Sequence, residues 1–326
     1  MNTSAEFRFG FRALERDGER KLTDWNAAFR AHIEADPRAM TAGECYLSAF
    51  QFPDAFRVHL EATGSTAGYI GPTWTEWIGF DIDRADDLER ALSDARRLAA
   101  WIVDRFKIDP DSIMLFYSGS KGFHVLQPSG IIGCSPAIDF HECCKRFAQI
   151  IAENAGIVVD LGVYARVNLF RAPNSKHRKT GRYKVQLTYD ELLNLRPEAI
   201  IEMASEPREG WIPAASAVNT EAAECWNEIV QAIESESQAD SERRNLNGNA
   251  KLNPTTRALL QGDLSTEGDR HRELFSAAAN FGEFGSVDEL AFALLTPAGL
   301  NSGLSASDVR RQIECGLKHG GRHHGE

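Results

Sequence analysis

The chain has 326 residues, with 36 Lys and Arg against 47 Asp and Glu and a formal net charge of −11, long enough for one large core or two ordinary domains. No apolar run approaches the ~18–20 residues needed to span a bilayer, and the N-terminal stretch mixes acids with bases, so no membrane segment, signal peptide or transit peptide is expected. The six cysteines form no Cys-x-x-Cys pair, which argues for reduced thiols in a cytoplasmic protein and against a disulfide framework or a zinc knuckle.

In chain order, the pattern predicts a strand at Phe7–Leu14, a turn at Asp17-Gly18, and an amphipathic helix through Trp25, Phe29 and Ile33. Strands follow at Cys45–Phe52 and Glu76–Ile82. A helix over Asp87–Phe106 carries Leu88, Leu92, Ala95, Ala99, Ile102 and Phe106 on one face, with Asp86 or Asp87 as its N-cap. Strands at Ile113–Tyr117 and Phe123–Leu126 flank a glycine-rich turn, and a helix over Asp139–Asn154 stops before Gly156. Strands at Ile157–Asp160 and Tyr183–Thr188 complete an α+β domain with a mixed or antiparallel sheet over residues 1–210. Residues 211–253 read as one helix over 219–235 and a polar linker, Ser235–Asn253. Residues 254–326 read as a small all-α bundle: Asp269–Phe281, Val287–Leu295 behind a capping box Ser286-x-x-Glu289, and Ala306–Lys318 after Ser305, with a frayed tail from Gly320.

The overall acidity argues against a nucleic-acid partner, but the charge is uneven. Residues 1–165 sum to −7, residues 166–210 to +3 and residues 211–326 to −7. Arg166, Arg171, Lys176, Arg178, Lys179, Arg182 and Lys184 fall in nineteen residues without an acid.

Three clusters carry chemistry. In Phe80-Asp81-Ile82-Asp83 the strand period places both carboxylates on one face and Phe80 and Ile82 on the other; such a pair suits a hard cation, Mg²⁺ or Mn²⁺. In Ser118-Gly119-Ser120-Lys121-Gly122-Phe123-His124 two glycines let backbone N–H groups approach an anion. Lys121 supplies a mobile cation there, and Ser118, Ser120 and His124 supply hydrogen bonds. Asp160 ends an apolar stretch, where a bare carboxylate is costly unless paired or metal-bound. The cations after it suit a triphosphate or a nucleic-acid backbone. Three aspartates, a phosphate-type turn and a basic strip are the inventory of two-metal nucleotidyl transfer.

The order Asp81-Ile82-Asp83, then Ser118 to His124, then Asp160-Leu161-Gly162-Val163-Tyr164 through Phe170-Arg171-Ala172-Pro173-Asn174-Ser175-Lys176-His177, resembles the archaeo-eukaryotic primase superfamily over roughly residues 40–190. That resemblance implies an RRM-like primase-polymerase catalytic domain. It gives Asp81, Asp83 and Asp160 two divalent metals to hold, His124 the incoming triphosphate, and Lys121, Arg171 and Lys176 its phosphates. The chain departs from the pattern at Gly122, where that family places a serine, which leaves Ser118 or Ser120 to supply the hydroxyl. Gly268 to Phe275 and Val309 to Gly316 resemble the primase C-terminal helical module of plasmid and phage primases. The implied partners are a single-stranded DNA template and ribo- or deoxynucleoside triphosphates. No Walker A sequence occurs, so strand opening would fall to a separate helicase.

Other features read as structure. His141-Glu142-Cys143-Cys144 lies on a helix with an apolar face. Cys315, His319 and His323 are spaced as helical ligands but are interrupted by Gly320-Gly321, so no structural zinc is expected. Trp74, Trp77, Phe123 and Tyr164 read as core before they read as base-stacking platforms. Two other functions stay open on the sequence: a non-catalytic replication-initiation protein that binds DNA, and a metal-dependent phosphohydrolase or nuclease.

Overall fold

The computed structural model describes residues 3–16, 18–39, 43–85, 87–214, 217–246, 252–262, 269–284 and 286–321. The chain divides into two compact units, Met1–Glu234 and Ser235–Glu326.

The first unit runs α1 (Thr3–Glu6), β1 (Phe9–Ala13), β2 (Lys21–Asp24), α2 (Trp25–Ile33), β3 (Tyr46–Ser48), α3 (Asp54–Thr63), β4 (Trp77–Asp83), α4 (Leu88–Phe106), β5 (Met114–Tyr117), β6 (Gly122–Pro128), α5 (Phe140–Asn154), β7 (Leu169–Arg171), β8 (Val185–Leu187), α6 (Tyr189–Asn194), α7 (Pro197–Met203) and the start of α8 (Thr220–Leu246). The fold is α+β. Its strands form two four-stranded sheets rather than one, in the orders β2-β1-β3-β7 and β4-β6-β5-β8, and every pairing is antiparallel.

Alternation along the second sheet sorts its side chains cleanly. Ile78, Phe80, Ile82, Leu115, Tyr117, Phe123 and Val125 point to one face and pack with Leu92, Ala95, Ala99 and Ile102 of α4 and Phe147 and Ile151 of α5. Trp77, Met114, Phe116 and Leu126 point to the other, where they meet Leu47 of β3 and Trp25 and Phe29 of α2. Asp81, Asp83 and His124 share this second face. Asp87 caps α4 by accepting from the Arg90 amide.

Several expected elements differ. Residues 157–160 form no strand; Ile157 and Val159 are buried, but the segment leads into a single 3-10 turn, Leu161–Tyr164. The strand expected over Cys45–Phe52 is a ladder only at β3, followed by isolated bridges at Gln51 and Phe52. Helix α8 runs on through much of the expected linker, and its first turns place Ala222, Trp226 and Ile229 in the core, with the Trp226 ring 5.4 Å from Phe140. Asp17, Asp86, residues 247–251 and Gly268 lie outside the described residues.

The second unit packs α9 (Pro254–Gln261), α10 (Arg270–Glu283), α11 (Asp288–Asn301) and α12 (Ala306–Gly321) around Leu259, Leu274, Ala278, Phe281, Leu295, Val309 and Ile313. Ser305 caps α12 through the Asp308 amide (3.1 Å). The capping box expected at Ser286 does not form, since α11 begins after Val287 without a side-chain cap and the Ser286 hydroxyl donates to the Val287 carbonyl. Gly320-Gly321 does not break α12. Its glycines are contact points: a Cβ at Gly316 would lie 2.5 Å from the Phe275 carbonyl and 2.6 Å from the Ala278 Cβ, and one at Gly320 would overlap the Ala279 carbonyl. Close helix approach therefore uses residues that local propensity would count against a helix. Gly316→Val should destabilise this bundle by about 2 kcal/mol or more. Hydrogen exchange should show α10 and α12 losing protection while α4 and α5 keep theirs.

Candidate active site

β4 lies at the edge of its sheet, so one row of its backbone carbonyls has no neighbouring strand. The carbonyls of Gly79, Asp81 and Asp83 each take a donor there. Tyr164 Oη donates to Gly79 (2.5 Å), the Asp160 amide to Asp81 (2.9 Å) and Arg84 Nη1 to Asp83 (2.8 Å). The segment around Asp160 thus docks along β4 by spaced contacts rather than by a ladder. Arg84 strengthens the seam: Nη2 donates to the Val158 carbonyl (2.9 Å) and pairs with the buried Asp94 of α4 (2.6 Å). The Asp160 carboxylate accepts from the Gly162 amide (2.7 Å), which opens the 3-10 turn.

The β4–β6 register sets His124 opposite Asp81 and Gly122 opposite Asp83. One cleft is lined by Asp81, Asp83, Asp160, Ser118, Ser120, Lys121, His124 and Arg171, joined by Arg16, Tyr46, Asn168, Phe170 and His177. Lys121 Nζ stands 3.2 Å from Asp83 Oδ2. Arg171 Nη2 donates to Tyr46 Oη (2.9 Å), its guanidinium lies 4.9 Å from the Tyr46 ring centroid, and Glu44 stands 3.5 Å away. Lys176 is not in this cleft. It lines a neighbouring pocket with Glu44, Arg178 and His177, and His177 borders both.

Three amides of the turn are taken up within it. The Ser118 amide donates to the Gly122 carbonyl (3.0 Å), and the Ser120 and Gly122 amides donate to Ser118 Oγ (3.4 and 3.2 Å). Ser118 therefore braces the turn, and the Lys121 side chain extends from it into the cleft lining. Gly122 has a steric reason: a Cβ there would overlap Asp83 Oδ1 and the Ile82 carbonyl.

The basic run does not make one surface either. Arg166 reaches the carbonyls of Tyr69 and Ile138, Arg178 stands 3.7 Å from Glu15, and Lys184 is 1 % exposed. Trp74, Trp77, Phe123 and Tyr164 are buried in the core, and His141 is half-buried beside the Phe50 ring. Cys315 is exposed, and His323 lies outside the described residues.

Electrostatics make Asp81 the costly member of the site. Burial, then repulsion from Asp83 and Asp160, push its carboxyl up to about 7, with Lys184 and Lys121 opposing. His124 goes the other way: burial first, then Lys184 and Arg171, hold it well below the usual imidazole range, so it is neutral. Its Nε2 lies 3.4 Å from Asp81 Oδ1 but is poorly aligned, and both Asp81 Oδ1 and His124 Nδ1 are buried without a hydrogen bond. An unsatisfied buried carboxylate oxygen among neighbouring carboxylates fits a hard divalent cation. The acids line one cleft without being gathered: among the described residues no three His, Cys, Asp or Glu side chains converge on one metal position.

No family model matches the sequence, and no curated protein matches it. Among solved structures the chain is similar to the primase RepB′, at 14 % identity and a TM-score of 0.36 over 98 % of this chain and 95 % of that one. An overlay that loose leaves the functional reading to the cleft itself.

Arg84, Tyr46, His177 and Lys184 had no place among the sequence-predicted site residues. Arg84 directly follows the aspartate pair, which is the one local signal that could have marked it.

Two outcomes follow from this geometry. The ionisation cost of Asp81 is absent below the ordinary carboxylate value near 4, grows as pH rises towards about 7, and is constant above that. In chelator, Asp81→Asn should therefore stabilise the protein at pH 8 by on the order of 2–4 kcal/mol, with the gain shrinking towards zero near pH 4; thermal melts at several pH values measure it. Arg84→Ala leaves Asp94 buried without its partner and should cost about 3–5 kcal/mol, read by urea unfolding.

Proposed function

We propose that the first unit is a template-directed nucleotidyltransferase, a DNA primase or polymerase that makes or extends primers on single-stranded DNA. The carrying observation is that Asp81, Asp83 and Asp160 share one cleft with Lys121, His124 and Arg171 although they come from three separate chain segments. Asp81, Asp83 and Asp160 are the groups that would hold Mg²⁺ or Mn²⁺. Bound there, two such ions supply Lewis-acid activation of a 3′-hydroxyl and neutralise the pyrophosphate leaving group.

The chain's own contribution is position and charge. Lys121 is exposed at the mouth of the cleft and free to swing from Asp83 onto an incoming phosphate. Arg171 presents a planar guanidinium, pre-aligned by Tyr46, for bidentate contact with phosphate oxygens. Neutral His124 donates or accepts one hydrogen bond without adding charge. Together they orient the triphosphate for in-line attack and stabilise charge that grows towards the leaving group. Ser118 and Ser120 act mainly through the turn that aims Lys121. Lys176, in the adjoining pocket, is placed for the outer end of the substrate or the template strand. Opening of duplex DNA would fall to a separate helicase, in the setting of a plasmid, phage or other mobile element. None of the described helices is long and apolar enough to cross a membrane.

Incubation with single-stranded DNA, nucleoside triphosphates and Mg²⁺ or Mn²⁺ should yield extended product. Asp83→Ala and Asp160→Ala should each lower the rate by roughly a thousandfold, the scale of a lost charge-stabilising group. Equal product from these variants would sink the proposal. Release of mononucleotides without elongation would instead identify a nuclease, and DNA binding without any incorporation a non-catalytic initiation protein.

A further inference from the structure

Lys184 is a buried amine that the mechanism above leaves unused. It precedes β8, and its alternation places it on the same sheet face as Asp81, Asp83 and His124. Its side chain is 1 % exposed and forms no ion pair among the described residues. Nζ donates to the Arg171 carbonyl (2.7 Å) and lies 4.6 Å from the Phe170 ring centroid and 4.7 Å from that of Phe116.

The hydrogen bond has a specific place in the fold. In the β3–β7 pair the Ala172 amide bonds Cys45 and the Ala49 amide bonds the Asn168 carbonyl, so by antiparallel alternation Arg171 turns its own carbonyl to the free edge of β7. Lys184 satisfies that carbonyl from the second sheet and so ties the two sheets together under the cleft. The same amine sits against Phe170, whose ring centroid is 4.3 Å from that of His124. A methionine would fill the space between the two phenyl rings without the desolvation cost of a buried amine. The donor is what distinguishes lysine there.

We propose that Lys184 is a positioning residue for the triphosphate: from beneath the cleft it fixes the backbone that carries Arg171 and the Phe170 ring that supports His124, so both groups are set before substrate arrives. This rests on the reading of the cleft as a nucleoside triphosphate site.

The test uses the full chain with Lys184→Met, which keeps the length and removes the donor, and Lys184→Gln, which keeps an N–H donor. Calorimetry with dGTP and Mn²⁺ is run beside primer-extension kinetics. For Lys184→Met the Kd and KM for dGTP should rise about tenfold, the worth of one buried hydrogen bond, with kcat and nucleotide-free Mn²⁺ binding nearly unchanged. Lys184→Gln should recover much of the loss. A folded Lys184→Met that binds dGTP like the wild type overturns the proposal, and so does a loss that Lys184→Gln shares in full together with Mn²⁺ binding. Should Lys184→Met not fold, Lys184→Ala repeats the measurement with the same two outcomes. Wild-type protein that binds no dGTP overturns the nucleotidyl-transfer reading itself, and this proposal with it.

Discussion

The open edge of β4 is the constraint on which the rest of the site depends. An unpaired strand edge must be covered or kept wet, because bare carbonyls are costly to bury and invite pairing with other chains. Here a tyrosine hydroxyl, a backbone amide and a guanidinium cover three alternate carbonyls. None of the three donors is a strand neighbour, so the covering segment is free to turn away after each contact. That freedom lets Asp160 leave β4 at the level of Asp81 and bend at once into its 3-10 turn.

The same geometry explains why the acids are tolerated. Carboxylates that share a cleft repel one another, and burial together with Asp83 and Asp160 raises the Asp81 carboxyl. Arg84 compensates on the backbone side, where its guanidinium is fixed by Asp94 and holds both chain segments without neutralising the cleft. Lys184 compensates from beneath, and Lys121 from solvent. Local strain of this kind, supported from outside, is the pattern expected where function rather than stability sets the residue types.

Much of this was legible where period and packing agree. Phe80 and Ile82 pointing inward and Asp81 and Asp83 outward follows from strand alternation alone, and α4 follows from its apolar face and its Asp87 cap. What periodicity missed has physical causes. β7 has three residues, too few to show alternation, and Ile157–Asp160 has the apolar content of a strand but docks through one backbone bond. The basic run looked like one surface because sequence gives spacing but not direction. In the fold its members reach loop carbonyls, the cleft, the adjoining pocket and the interior. Gly320 misled for a related reason, since propensity registers the missing side chain but not the neighbouring helix that requires it.

Gly122 shows how a local steric rule can fix a residue type beside the cleft. Its position opposite Asp83 leaves no room for a side chain, so any larger residue at that point would displace the Asp83 carboxylate. Ser118 takes up a different task and closes the turn by accepting two of its amides. The result is a turn closed on its own serine that presents one lysine. With three of the turn's amides spent internally, the cleft's polar donors are side chains on three separate elements: Lys121 from the turn, His124 from β6 and Arg171 from β7. Such a cleft is only as well ordered as the joints between those elements, and the buried hydrogen bond from Lys184 to the Arg171 carbonyl is one of those joints.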